Sequence, residues 1–269
     1  MTKKETTGFR SYYQDKDKQK GRRALPDEYF GDESEYKRGM IVTAHADDAE
    51  FSCSGTVAKW CAEGWEVVYV LCTDGSKGSE DRSITSEQLA AIRRQEQIDA
   101  GKVLGLKDVV FLGYPDGYLE PTLDLRRDIA RQIRIHKPDV LICLNPVRDL
   151  NVFHGVNHPD HIASGEATMA AAFPAARDHL TFPELYFDEK LEPHKAAEAW
   201  IVGTNEPDFY SDVTDHIDTA IKALLEHKSQ LGDFKPEDLD ARMKEWRRDS
   251  AIGRGMKYAE AFKRIRFRM

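Results

Sequence analysis

The chain is 269 residues long and 41% hydrophobic, enough to bury a sizeable core in one large domain or one domain with appendages. Its 39 Lys and Arg stand against 47 Asp and Glu for a formal charge of −8, which excludes a general attraction to nucleic acid or anionic membrane and points to small molecules or further copies of the chain as partners. No apolar stretch approaches the roughly 20 residues of a membrane span, the N-terminus has no apolar core of the signal-peptide kind, and the four cysteines (Cys53, Cys61, Cys72 and Cys143) form no C-x-x-C pair; these features predict a soluble, cytoplasmic protein.

Residues 1–37 are dense in Lys, Asp, Glu and Gly with little periodicity and read as a polar N-terminal arm, ordered only by docking, with Tyr12, Tyr13, Tyr29 and Phe30 as its anchors. From 38 to 269 short β-branched runs alternate with stretches of helical period, the pattern of βα units in one domain. Strands are predicted at 39–44, 66–73, 108–113 and 139–144, each an apolar run suited to a parallel sheet covered on both faces. Between them, "GTVAKWCAEG" places Val57, Trp60 and Cys61 at helical spacing, "SEQLAAIRRQEQIDAGKVLG" runs from a Ser86 cap to Gly105, and "TLDLRRDIARQIRIHKP" stops before Pro138. Beyond 145 the pattern predicts a loop (145–157), a helix from Pro159, strands at 183–187 and 199–202, and helices at 214–230 and 237–259. In the tail "FKRIRFRM", Ile265, Phe267 and Met269 alternate with Arg264, Arg266 and Arg268, the period of a closing strand with one solvated basic face.

In an open parallel sheet, ligands bind beyond the carboxyl ends of the strands. "TAHADDAEFSCSG" puts His45, Asp47, Asp48 and Glu50 just after the first strand, and "NPVRDLNVFHGVNHPDHIASG" puts His154, His158, Asp160 and His161 after the fourth. A catalytic zinc takes three ligands from His, Asp and Glu and keeps a fourth position for water. His45 and Asp48, three apart in a strand-to-helix turn, face one point; His161 or His158 completes the triad, and Asp47 is placed to take a proton from the water. Singly, each group has a plainer reading: an Asp pair as a helix cap, a lone His as a hydrogen-bonded core residue. H-x-x-D and H-x-x-H on two strand ends together favour the metal site. Glu50 reads as a first-turn helix charge, and Arg94 and Lys102 as solvated helix faces. "TDGSKGS" lacks the spacing of a phosphate loop and reads as a wall of the site, and no G-x-G-x-x-G follows the first strand.

These residues resemble the PIG-L or LmbE-like zinc-dependent N-deacetylases. That family's Ala-His-Pro-Asp-Asp followed by Gly-Gly-Thr meets "AHADDAEFSCSGT" here, and its His-Pro-Asp-His meets "HPDH" at 158–161. The likeness runs from about residue 39 to the end through "TDGSKGS", "LAAIRRQEQIDAGKVLGL", "YPDG", "EPH", "HKSQ" and "YAEAF". Ala46 replaces the usual Pro, which leaves the ligands in place because Pro supplies rigidity rather than coordination; Ser54 stands where the first Gly is common and narrows the cleft slightly. The resemblance implies an α/β, Rossmann-like fold, a mostly parallel sheet with helices on both faces and the active site at the carboxyl ends of the strands. It implies Zn2+ held by His45, Asp48 and His161, Asp47 as general base, His158 as a second acid that stabilises the oxyanion or protonates the amine, and Arg93 and Asp116 lining the site. The implied reaction removes an acetyl group from an N-acetylated substrate, most like the N-acetylglucosamine and diacetylchitobiose deacetylases, and the implied assembly is a homo-oligomer, trimer or hexamer. The alternatives are an amidase of sugar-linked thiol conjugates and a metal-binding oligomeric protein without turnover, against which the intact Asp47 and His158 count.

Overall fold

In the structure, a computed structural model, residues 30–148, 150, 156–232 and 234–269 are described. Most of the expected arm, with Tyr12, Tyr13 and Tyr29, lies outside them, as does His154. Residues 30–37 pack on the rest of the chain: Tyr36 is buried, and the Arg266 guanidinium sits 4.2 Å from the centre of the Phe30 ring.

The apolar runs become β1 (Arg38–Thr43), β2 (Glu66–Thr73), β3 (Asp108–Tyr114), β4 (Val140–Leu144) and β5 (Glu198–Val202), all mutually parallel. The sheet order is β3-β2-β1-β4-β5-β7-β6, where the short β6 (Phe209–Asp212), which the sequence reading left unassigned, and β7 (Ala259–Arg266) close it antiparallel. The inner strands β1, β2, β4 and β5 are almost wholly buried and largely apolar because both of their faces are covered. Ile41, Tyr69 and Ile142 point to a core shared with α2 (Ser54–Ala62) and α3 (Ser86–Leu104). Met40, Val42, Val68, Val70 and Leu141 point to the opposite core, under α4 (Leu123–His136) and α5 (Pro159–Ala172). A third cluster joins α7 (Ile217–Leu224), α8 (Lys228–Leu231) and α9 (Pro236–Ala251).

Local chemistry sets the helix ends. Thr85, rather than Ser86, caps α3 in a reciprocal capping box with Gln88, and Gly105 ends it in the left-handed conformation (φ 83°). The strand expected at 183–187 is instead α6 (Pro183–Phe187): its aromatic run suits a strand, but Pro at the first position and Glu184 in the first turn start a helical turn. The helix expected over 214–230 divides into α7 and α8 at a turn through 225–227. The one expected over 237–259 stops at Ala251, because Gly253 and Gly255 at φ 73° and 72° turn the chain into β7. The basic face of β7 is not simply solvated. Arg264 forks onto the fully buried Glu198, donating from Nε at 2.7 Å, and pairs with Glu33 at 2.5 Å. Among the described residues no helix is long and apolar enough to cross a membrane.

Gly165 fixes where α5 meets the sheet. A Cβ there would lie 2.3 Å from the Leu144 carbonyl oxygen and 3.0 Å from the Pro146 nitrogen, so only glycine lets the helix approach the end of β4 this closely. Gly165→Ala is expected to cost about 1–3 kcal/mol in urea unfolding; an unchanged midpoint would show that this contact is loose.

Candidate active site and metal centre

β1 and β4 are neighbours, so the loops leaving their carboxyl ends share one rim of the sheet. On the β1 side the chain passes from Thr43 through residues 44–47 into the five-residue α1 (Asp48–Ser52). Asp48 turns its carboxylate back onto the strand end, where Oδ2 accepts the N–H groups of Ala44 at 3.1 Å and His45 at 2.8 Å. On the β4 side His158 caps α5, its Nδ1 accepting the Asp160 N–H at 3.2 Å, and Pro159 takes the first turn. One turn of this helix carries His161 to the rim.

Three of the expected ligands converge. His45 Nδ1 lies 3.3 Å from His161 Nε2 and 3.6 Å from Asp48 Oδ2, and His161 Nε2 lies 3.0 Å from Asp48 Oδ1. Zinc bonded at about 2.0–2.1 Å in a tetrahedron separates its ligand atoms by about 3.3 Å, which matches the His45–His161 spacing and lies near the distance of each imidazole from one or the other oxygen of Asp48. The His158 ring stands edge-on to His45 with centroids 4.8 Å apart, and its exposed position keeps it on the rim.

The other nitrogen of His45 is held from behind. Its Nε2 is 3.1 Å from Asp116 Oδ1 and 3.2 Å from Asp160 Oδ2. Asp160 is fully buried and also accepts the N–H groups of Gly117 at 2.8 Å and Leu119 at 3.3 Å, while Asp116 Oδ2 accepts the Lys77 N–H at 2.9 Å. His45, Asp116 and Asp160 also have ligand-compatible spacing, as do His45, His158 and His161; both oxygens of Asp160 and Oδ2 of Asp116 already accept backbone N–H groups. His45, Asp47, Asp48, His158 and His161 line a cleft of about 570 Å³. A carboxylate behind a ligating imidazole fixes its tautomer and orientation. The sequence reading placed Asp116 at the site, but it assigned Asp160 no role, although that residue sits inside the same "HPDH".

The electrostatics call for a cation. Asp47, Asp48, Asp116 and Asp160 gather around His45. Burial works against its charge, but bonds to Asp116, Asp160 and Asp48 outweigh that and push the imidazole up to about 12. Burial alone would raise Asp48, yet His161 and His45 hold it well below the carboxylate range. Burial, with the charges of Asp48 and Glu50 beside it, pushes the Asp47 carboxyl well above that range. Burial and the neighbouring His45 and His161 push His158 down. Asp47 itself sits at φ 82°, ψ −25°, left-handed backbone that non-glycine residues rarely adopt.

Two groups carry contacts beyond their sequence reading. Glu50 lies in the first turn of α1 as expected, but it is fully buried, accepts Gln97 Nε2 at 3.0 Å, and lies 3.2 Å from the buried His227 Nε2. Arg94 is exposed on α3 as expected, with its guanidinium 4.0 Å over the Phe111 ring. Arg93 donates to the carbonyls of Gly75 at 2.8 Å, Lys77 at 2.5 Å and Gly78 at 3.2 Å, and stands 3.8 Å from Asp116. It thereby holds the "TDGSKGS" loop as a wall of the cleft.

Left-handed backbone costs a non-glycine residue about 1–2 kcal/mol, more than the roughly 0.5–1 kcal/mol of unfolded-state entropy that glycine adds. Asp47→Gly in chelator-treated protein is therefore expected to raise the melting temperature by about 2 °C; a fall would show that the carboxylate is a stabilising partner. Asp160→Asn is expected to weaken zinc binding roughly 10- to 100-fold in chelator competition, and unaltered affinity would remove Asp160 from the set that orients His45.

The profile of the PIG-L family, described as GlcNAc-PI de-N-acetylase, matches residues 40–172. The chain is 28% identical over 206 residues to the diacetylchitobiose deacetylase of Thermococcus kodakarensis, covering 77% of this chain and 73% of that protein. It is 30% identical over 210 residues to the probable N-acetyl-alpha-D-glucosaminyl L-malate deacetylase 2 of Bacillus cereus, covering 76% of this chain and 88% of that protein. Its fold superposes on N,N'-diacetylchitobiose deacetylase from Pyrococcus horikoshii with a TM-score of 0.78 at 26% identity, over 87% of this chain and 85% of that one. With the motifs, the fold and the matched length in agreement, the chain belongs to the PIG-L family of de-N-acetylases.

Proposed function

We propose that this N-deacetylase is zinc-dependent, with the metal held by His45, Asp48 and His161, and that it removes acetyl groups from N-acetylglucosamine-containing sugars. The observation that carries this reading is the convergence of His45 Nδ1, the Asp48 carboxylate and His161 Nε2 within 3.0–3.6 Å of one another, with Asp47 and His158 beside them. The relatives supply the substrate class, and the four free cysteines fit a cytoplasmic setting.

Bound zinc supplies a Lewis acid for the acetamide carbonyl and lowers the pKa of its water to about 7. The protein's own groups then divide the proton work. Asp47, raised by burial and its acidic neighbours, is basic enough to take the water's proton and lines the cleft where that water sits. His158 accepts the Asp160 N–H at Nδ1, so its neutral ring carries the proton on Nε2. That N–H donates to the carbonyl oxygen as negative charge develops there. Asp47 returns its proton to the departing amine, which leaves acetate and a free amino sugar and restores the carboxylate. Beyond the metal, the cleft joins a second one of about 900 Å³ through Asp47, Gly78, Arg93 and Gln230, which gives room for the group that bears the acetamide sugar.

The test is acetate release, with zinc content measured in parallel, across N-acetylglucosamine, N,N'-diacetylchitobiose, N-acetylglucosaminyl malate and a sugar-linked thiol amide. Acetate is expected from at least one of the N-acetylglucosamine compounds. Asp47→Asn is expected to keep zinc and lose about 100-fold or more of kcat, whereas Asp48→Ala and His161→Ala lose the metal. Full turnover in Asp47→Asn would sink the base assignment. Cleavage of the thiol amide alone would move the function to that amide.

A further inference from the structure

The left-handed backbone of Asp47 is set by the orientation of the peptide unit that joins it to Ala46, and both poles of that unit are held by side chains. Gln230 Nε2 donates to the Ala46 carbonyl oxygen at 2.7 Å, and the Asp47 N–H donates to Gln97 Oε1 at 3.4 Å. These two groups lie on one rigid plane.

The two glutamines are locked in turn. With Oε1 on the Asp47 N–H, the Gln97 amide must present Nε2 to Glu50, and it does so at 3.0 Å within a pocket where Gln97, Glu50 and His227 are all buried. Gln230 sits on α8, four residues long and unable to hold itself. Its neighbour Ser229 donates from N at 2.7 Å and from Oγ at 2.6 Å to the two oxygens of Glu96, the residue beside Gln97. The pairs Glu96-Gln97 on α3 and Ser229-Gln230 on α8 thus form two rungs: one ties the helices together and the other closes on a single peptide. Here "HKSQ" (227–230), which the sequence reading quoted without a role, acquires one.

We propose that Gln97 and Gln230 are positioning residues for the Asp47 carboxylate, clamping the Ala46–Asp47 peptide at both ends, with Glu96 and Ser229 as the brace that keeps the clamp in register. The proposal rests on the reading of Asp47 as the base. Without the clamp the plane rotates, Asp47 relaxes toward ordinary backbone, and its carboxylate swings away from the water. The metal ligands stay, because Asp48 is tied to the strand end and His161 rides on α5.

Gln97→Met and Gln230→Met keep side-chain length and remove the hydrogen bonds. With N,N'-diacetylchitobiose, each is expected to lower kcat roughly 10- to 100-fold, with zinc per chain within about twofold of wild type and, for Gln97→Met, which lies outside the cleft, KM within about twofold as well. The double variant falls no more than about threefold below the poorer single one, because both act on one plane. Gln230→Lys, which keeps a donor for the Ala46 carbonyl, recovers most of the loss. Full kcat in folded, zinc-loaded Gln230→Met overturns the clamp, as does a kcat that falls only in step with lost zinc. Should Asp47→Asn prove fully active, or the disaccharide not be turned over, a stability cycle still decides. Gln230→Met must lower Tm more in an Asp47→Gly background, where there is no strain to release, than in the wild-type chain, where relaxation offsets the lost bond; equal drops overturn the proposal.

Discussion

Side-by-side placement of β1 and β4 creates the crevice on which everything else at the site depends. After β1 the chain turns to the face covered by α2 and α3; after β4 it turns to the face covered by α4 and α5. The two loops therefore part at the sheet edge and leave a gap between them, the usual position of ligands in open α/β sheets. His45 and Asp48 stand on one lip and His158, Asp160 and His161 on the other. Gly165 keeps the lips close enough for side chains of ordinary length to meet, because any Cβ there would push α5 away from Leu144.

What gathers in that crevice is a surplus of negative charge, and the backbone divides its labour. Buried carboxylates are tolerated only when paired, hydrogen-bonded or bound to a cation. Asp116 and Asp160 take backbone N–H groups and grip His45; Asp48 takes two more and points its other oxygen at His161. Asp47 gains no such relief from its own side chain. Its left-handed φ lets two successive carboxylates diverge, one toward the strand end and one toward the cleft. A residue in that conformation whose carboxyl is also pushed up by burial and by its acidic neighbours is held in an unfavourable state by its surroundings, which suits the base role proposed for it.

The sequence carried the sheet and the residues that meet at its rim because both are written locally. Four apolar runs marked β1 to β4 to within one residue at either end, and the motifs at 45–48 and 158–161 held the three residues that converge, His45, Asp48 and His161. Elements whose local chemistry was mixed were misread. The aromatic stretch at 183–187 looked like a strand until its proline was taken as a helix start, and Gly253 and Gly255 ended a helix that periodicity carried on to 259. The burial of Glu50 went unread for a different reason. Its partners Gln97 and His227 lie 47 and 177 residues away in the chain, and nothing beside Glu50 in sequence announces that both will bury it. The same separation hid the role of Gln230, which reaches the Ala46 carbonyl from 184 residues downstream.

These distant partners converge on one element. α1 has five residues and α8 four, too short to persist alone, and both carry groups that must be held precisely. α3, with 19 residues and caps at both ends, is the rigid body beside them. Arg93, Glu96 and Gln97 lie three and four residues apart, on one face of that helix. From that face Arg93 grips the carbonyls of the 75–78 wall, Glu96 grips α8 through Ser229, and Gln97 grips both Glu50 and the Asp47 amide. The strand ends thus supply the ligands, and α3 sets where the remaining walls and the base stand relative to them. A shift of α3 along its axis would move wall, base and brace together while leaving His45, Asp48 and His161 on their own lips. On the proposed reading, the part of the site that would bind the metal is thus separate from the part that would use it.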